Sequence, residues 1–315
     1  MEYENLQLLS RENGLKIEDI KKVLIVGGGT MGQQTALICA LHGYETVMHD
    51  ISMEILEKGF DRLQKNSRRL IESGICSKEE AACAVGRISL TDSAETAALD
   101  SDLIIESVPE DPVLKGRIFA RFHKLCKPET IFTTNTSTLV PSMFANAVGR
   151  ADKFCAFHFH DIAVTKIVDI MPHPGTAPET IEIVREFAVS IGQIPIELKT
   201  ENHGYVFNNM LMAFIDAALG LASRKVASIE DIDRSWMGVL HTQVGPFGMI
   251  DSIGVDTVWK VTDFWAGKTG DKQAFKNAAF LKEYVDNGRL GIKSGRGFYD
   301  YPDPSFVQKD FLTNG

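Results

Sequence analysis

No run of apolar residues in this chain approaches the roughly 20 needed to cross a bilayer, so no membrane association is expected. Basic residues are in deficit: 33 lysines and arginines against 42 acids give a formal net charge of -9. That balance excludes a general nucleic-acid binder, which needs a basic footprint, and the interleaved aromatics and cations of RNA platforms are missing too. Cysteine is scarce. The five (Cys39, Cys76, Cys83, Cys126, Cys155) are scattered without metal-ligand pair spacing, so they read as reduced, mostly buried thiols of a cytoplasmic protein, and no metal is expected. The first twenty residues carry several acids and no apolar h-region. They read as a short helix or a loose arm, not as a secretory signal.

What is present is a large apolar inventory, 44% of 315 residues, enough for two domains. The most informative stretch is 21–50, KKVLIVGGGTMGQQTALICALHGYETVMHD. Residues 23–26 (VLIV) form a short all-apolar run of the kind buried on both faces of a parallel sheet. Gly27, Gly29 and Gly32 follow at x-G-x-G-x-x-G spacing, Thr30 and Met31 open a helix over 31–42, and a second strand over 45–49 ends at Asp50. Gly27 permits the tight turn, Gly29 admits a pyrophosphate, and Gly32 lets the helix close on the strand. The helix start offers free N–H groups to phosphate. Asp50, eighteen residues beyond Gly32, is placed for a ribose 2′-OH, and its charge favours NAD over NADP.

Beyond Asp50 the pattern alternates. Helices are expected over 52–72, 77–84, 112–125, 138–147 and 178–190. Strands are expected over 87–90, 102–108, 130–137, 153–160, 164–171 and 193–198. Such alternation predicts a Rossmann-type, largely parallel doubly wound α/β sheet. After residue 200 the grammar becomes helical, over 205–222, 229–240, 247–253, 255–266 and 276–286, with a few residues near Phe298 as the one further strand candidate. The expected division is therefore 1–198, a dinucleotide-binding domain, and 199–315, an all-helical C-terminal domain. The apolar helices of the second domain bury surface either against another subunit, closed by two-fold symmetry, or against the first domain.

Ligands of open α/β sheets bind beyond the carboxyl ends of the strands. Three expected strand ends carry polar groups: Glu106 and Glu110; Asn135, Thr136, Ser137 and Thr138; and His158, His160 and Asp161. A hairpin-like return brings Asp169 beside His158. A carboxylate behind an imidazole fixes its tautomer, so that the free nitrogen accepts a proton from an alcohol. A packed structural histidine is the alternative reading, and Asn208 by the same standard is a capping or interhelix amide. Lys58, Arg62, Lys65 and Arg69 share one helix face, either to receive phosphates or simply as a solvated surface.

Taken in order, VGGGTMG, IIESVPED with Lys115, NTST (135–138), FHFH (157–160), GYVFNNML (204–211), VGPFGMIDSIGVDT (244–257) and GIKSGRGFYDY resemble the L-3-hydroxyacyl-CoA dehydrogenase family from about residue 21 to 301. The resemblance implies NAD-dependent oxidation of the 3-hydroxyl of an acyl-CoA, or the reverse, by a homodimer joined through its helical domain. It puts His158 on the acid/base, Asp169 on its orienting carboxylate, and Ser137 and Asn208 on the substrate-binding positions. Glu110, Lys115 and Asn135 fall on the cofactor side, and Lys65 matches a lysine that meets CoA phosphate. The chain departs from the family after His158. The run FHDIAVTKIVD lacks the Asn-Pro pair, is one residue shorter before the acid, and has Asp169 for the family's glutamate. Asn209 replaces an arginine. Relatives that oxidise CoA-free acids such as gulonate share the phosphate loop, the NTS and the histidine.

Overall fold

The computed structural model describes residues 15–72 and 74–313. The arm or helix expected in the first twenty residues lies mostly outside the described residues, the described part holding one 3-10 turn, Ile17–Asp19. The chain forms two compact units, one ending at Val206 and one starting at Phe207. The break expected at 198 falls just after the last strand. Residues 199–206 stay with the first unit because Tyr205 and Leu198 pack with Ala156 and Met171.

The first unit is an eight-stranded sheet: β1 (Lys22–Val26), β2 (Glu45–His49), β3 (Ile88–Thr91), β4 (Leu103–Glu106), β5 (Ile131–Thr134), β6 (Phe154–Phe159), β7 (Ile167–Met171) and β8 (Ile194–Glu197). Their order is β3-β2-β1-β4-β5-β6-β7-β8, which reverses between β1 and β4. The central strands are buried on both faces, as their unbroken apolar runs require. Every pairing is parallel except β6 with β7. Only residues 160–166 join those two strands, too few for a crossover, so the chain turns back as a hairpin.

Helices α1 (Thr30–Leu41), α2 (Met53–Glu72), α3 (Lys78–Gly86), α4 (Ala94–Ala98), α5 (Pro112–Leu125), α6 (Ala145–Val148) and α7 (Pro178–Ser190) connect the strands. The short α4, which the pattern did not announce, is capped by Ser93 on the N–H of Thr96. The helix expected over 138–147 is broken into a 3-10 turn, Pro141–Met143, and α6. Pro141 supplies no N–H and cannot lie inside a continuous helix.

The second unit is helical: α8 (Phe207–Ser223), α9 (Ile229–Leu240), α10 (Pro246–Ile253), α11 (Val255–Thr269) and α12 (Lys272–Asp286). The last begins earlier than its apolar pattern indicated because Asp271 caps the N–H of Gln273 at 2.9 Å. Near Phe298 the described residues form isolated bridges and no strand. Two buried acids hold this unit together. Asp233 accepts from the N–H groups of Phe247 and Gly248 and the hydroxyl of Tyr299, and Asp251 from the N–H groups of Phe298 and Tyr299. No described helix is long and apolar enough to cross a membrane.

Candidate active site

The glycine loop lies where the strand order reverses, between the carboxyl ends of β1 and β4. Gly27 has φ +113°, and a Cβ there would meet Ser107 O at 2.6 Å. A Cβ on Gly32 would come within 1.9 Å of Gly27 O, so α1 seats on the loop only as glycine. Around Gly29 a Cβ would meet nothing within 4 Å: that face is open. Gly29 is the N-cap of α1 and no side chain caps it, which leaves the first-turn N–H groups at Thr30 and Met31 for an anion. Asp50 accepts from Gly28 N–H through Oδ2 and from Ile51 N–H through Oδ1, both at 2.7 Å. Each oxygen keeps a lone pair for a ribose hydroxyl. An open cradle at Gly29, uncapped N–H groups and a held carboxylate fit a dinucleotide.

At the end of β4, Glu106 and Lys115 form a buried ion pair at 2.8 Å. Burial raises the Glu106 carboxyl above its usual range, against the Lys115 charge and hydrogen bonds from Lys115, Thr134 and Val108. Lys115 also reaches Glu110, at 3.3 Å. Glu110 Oε1 in turn accepts from the hydroxyls of Thr136 and Thr138 and the N–H groups of Ser137 and Thr138. This pull takes residues 135–138 out of the strand expected over 130–137, which stops at Thr134. Burial alone would raise Glu110; the Lys115 charge and the two threonines outweigh it and lower the carboxyl. Glu110 and Lys115, two of the three residues expected on the cofactor side, thus lie under the turn that presents Ser137. The Ser137 hydroxyl has no hydrogen-bond partner among the described residues, whereas Asn135 bridges Ser107 Oγ (3.2 Å) and Phe159 N–H (2.7 Å).

The two-residue period of a strand sorts FHFH by face. Phe157 and Phe159 join the main core, while His158 turns to the opposite face with Ala156. On β7, Val168 and Ile170 point into that same core and Asp169 faces the other way. The antiparallel register sets His158 directly opposite Asp169. His158 Nδ1 and Asp169 Oδ2 are 3.0 Å apart, so the shortened segment and the shorter acid together preserve the contact. The loop that lacks the Asn-Pro pair is held by Gln34, which accepts from Ile162 N–H at 3.0 Å. Burial pushes Asp169 up, but hydrogen bonds from His158 and His160, and their charge, bring it below the usual carboxylate value.

Two contacts around His158 go beyond the sequence, which marks His160 only as a polar group at a strand end. His160 Nε2 also lies on Asp169 Oδ2, at 3.1 Å, a contact legible only once the strand register is known. Tyr205 stacks on the His158 ring with centroids 4.8 Å apart. It is fully buried at φ +53°, and its hydroxyl has no partner among the described residues.

Asn208 lies in the first turn of α8, half-buried, and its side-chain amide makes no hydrogen bond among the described residues. Neither a cap nor an interhelix bond therefore accounts for it. Lys65 is exposed on α2 along with Arg62, while Lys58 pairs with Glu54. His158, His160 and Asp169 offer two imidazoles and a carboxylate with ligand atoms within 4.8 Å of one another, a donor set known for metals. Both nitrogens instead lie at hydrogen-bond distance from one oxygen, which calls for protons between them.

Comparison with known proteins agrees with this geometry. Residues 22–201 match the NAD binding domain of 3-hydroxyacyl-CoA dehydrogenase, and residues 204–301 match its C-terminal domain. The mitochondrial hydroxyacyl-coenzyme A dehydrogenase of Rattus norvegicus is 30% identical over 288 residues, 90% of this chain and 91% of its own. The structure of (S)-3-hydroxybutyryl-CoA dehydrogenase from Ralstonia eutropha superposes with a TM-score of 0.81 at 30% identity, over 90% of this chain and all (100%) of that one. A diketoreductase described as acting on dicarbonyl compounds superposes with a TM-score of 0.84 at 36% identity, over 90% of this chain and 99% of its own. With its NAD loop, its helical second unit and a buried histidine–carboxylate pair in place, the chain belongs to the 3-hydroxyacyl-CoA dehydrogenase family and is an NAD-dependent dehydrogenase.

Proposed function

We propose that this dehydrogenase oxidises a short-chain L-3-hydroxyacyl-CoA to the 3-oxoacyl-CoA, or runs the reverse, with His158 as acid/base. The observation that carries the reading is the 3.0 Å contact between His158 Nδ1 and Asp169 Oδ2. It commits Nδ1–H to the carboxylate and leaves Nε2 to take the hydroxyl proton. NAD, when bound at the glycine loop, accepts the hydride. The Ser137 hydroxyl and the Asn208 amide, neither hydrogen-bonded among the described residues, bind the C3 oxygen or the thioester carbonyl, where charge changes during transfer. Gly27, Gly29, Thr30, Met31, Gly32 and Asp50 hold the dinucleotide; Glu110, Lys115 and Asn135 shape the turn beside it. Lys65, on an exposed basic face, meets a CoA phosphate. The chain-length reading draws on relatives named as 3-hydroxybutyryl-CoA dehydrogenases, including the one from Ralstonia eutropha.

The functional protein is read as a homodimer joined through its second unit. Phe214, Leu221, Trp236, Val239 and Leu240 line an apolar groove of about 520 Å³ there, and Val239 is 75% exposed. The described cysteines are free thiols, in keeping with a reducing, cytoplasmic setting.

A second reading, reduction of a small CoA-free dicarbonyl or oxidation of a sugar acid such as gulonate, is favoured by the likeness to the diketoreductase. One assay separates the two. Acetoacetyl-CoA, free acetoacetate and gulonate are offered with the matching form of NAD while absorbance is followed. Turnover confined to the CoA ester and lost in His158→Ala supports the first reading. Turnover confined to free acids replaces it with the second.

A further inference from the structure

Asp169 serves two imidazoles, and the reaction proposed above uses one. His160 follows β6 by one residue and returns to the side of the sheet that carries His158, and both reach Oδ2 of the same carboxylate, at 3.0 and 3.1 Å. Their rings meet nearly edge-on, with centroids 4.6 Å apart. An ionised carboxylate only accepts, so each nitrogen facing Oδ2 carries a proton. His158 is then the Nδ1–H tautomer and His160 the Nε2–H tautomer. No lysine or arginine pairs with Asp169 among the described residues. Titratable groups near the set include Tyr205, stacked on His158, Glu110, Glu106 and Cys155, whose charges reach the Tyr205 hydroxyl, and Asp161, which turns away to accept from Ala163 N–H.

Two donors on one oxygen divide its pull. Each charge-assisted hydrogen bond that His160 makes leaves less negative potential for an imidazolium at His158, and it also holds the carboxylate plane against rotation. A base works best when its proton affinity lies near the working pH.

We propose that His160 is a positioning residue for the dehydrogenase, sharing Asp169 Oδ2 so as to orient the carboxylate and restrain the proton affinity of His158. This rests on His158 being the acid/base.

The test is the pH profile of kcat/KM for oxidation of 3-hydroxybutyryl-CoA by NAD, in the wild type, His160→Phe, His160→Gln and His158→Ala. Loss of the second donor in His160→Phe moves the acid limb to higher pH by roughly one unit, the equivalent of one charge-assisted bond. His160→Gln, whose amide N–H replaces the Nε2 donor, returns it most of the way. A limb that stays in place in His160→Phe, even with a lower rate, overturns the inference, because lost packing slows turnover without moving a midpoint. Turnover retained in His158→Ala overturns the choice of base instead, and the inference with it. Nitrogen NMR of the wild type needs neither variant. It should show Nδ1–H at His158 and Nε2–H at His160, and a His160 protonated on Nδ1 alone overturns the inference.

Discussion

His158 and Asp169 face each other across the antiparallel β6–β7 pair, Nδ1 to Oδ2 at 3.0 Å, on the face of the sheet away from Phe157 and Phe159. The carboxylate both selects the tautomer and stabilises the imidazolium. Asp169→Asn keeps the shape and removes both effects, because an amide can present N–H to the ring. Its kcat is expected to fall roughly 10²- to 10⁴-fold while NADH affinity, read by fluorescence titration, stays within about twofold. An equal fall in cofactor affinity would mean that the pair is part of the dinucleotide site.

The same contact predicts an acid sensitivity. Asp169 titrates below its usual 3.8 in the folded chain, despite burial, because His158 and His160 donate to it. A depressed carboxyl contributes stability that is present above its unfolded value and lost as pH falls through the folded one. Wild-type urea midpoints should therefore drop below about pH 4 more steeply than those of Asp169→Asn. Parallel curves would show that the two states bind this proton alike.

The glycine loop and the strand–helix–strand unit around it were legible in the sequence because their signals are local. Gly27, Gly29 and Gly32 report backbone needs that no neighbour can alter, and Asp50 sits at a fixed distance along one strand–helix–strand unit. The dyad was legible as a pair, since a short return between two strands sets their register within a residue. His160 was not, because its partner depends on which oxygen the Asp169 rotamer presents, and that is decided by packing. Glu110 and Lys115 read as cofactor contacts from the motif; only the folded turn at 136–138 shows how many of their bonds go to protein. The break in the helix after Leu139 is written in Pro141, whose missing N–H outweighs the apolar content of 138–147.

Two glycines three residues apart should respond in opposite ways. A methyl group at Gly29 meets nothing within 4 Å, so Gly29→Ala is expected to fold with near wild-type Tm. It would fill the space a pyrophosphate needs and weaken NADH at least about tenfold, or ~1.4 kcal/mol. At Gly32 the same methyl lies 1.9 Å from Gly27 O, and Gly32→Ala should lose soluble, folded protein. Normal NADH affinity in Gly29→Ala would remove the loop from the cofactor site.

Lys115 and Glu106 are both essentially buried, with side chains 1% and 0% exposed. Removing one partner leaves the other charge without compensation in a dry site. Lys115→Met is therefore expected to destabilise the first unit by about 3–5 kcal/mol. Adding Glu106→Gln should recover a large part of that loss, since the amide can still accept from Val108 N–H or Thr134. Urea unfolding of the two single variants and the double variant measures the coupling. Additive losses would show that the pair acts as two independent polar groups.

Tyr205 is held in a constrained position. Its backbone is left-handed at φ +53°, in a turn tied by Asn202, whose amide donates to the carbonyls of His203 and Tyr205. A bulky residue adopts that conformation only when its surroundings require it. Here the ring is needed against His158 and among Ala156, Met171 and Leu198, but the hydroxyl finds no donor or acceptor among the described residues. Burial, and then the charges of Glu110 and Asp169, keep the phenol far above its usual range, so it stays neutral and unpaired. Tyr205→Phe retains the stacking and removes a polar group that was dehydrated without compensation. It should stabilise the protein by about 1 kcal/mol, seen as a rise of about 2–4 °C in Tm. A fall in Tm would reveal a hydrogen-bond partner for the hydroxyl in solution, most simply an ordered water, and would make that water part of the wall beside His158.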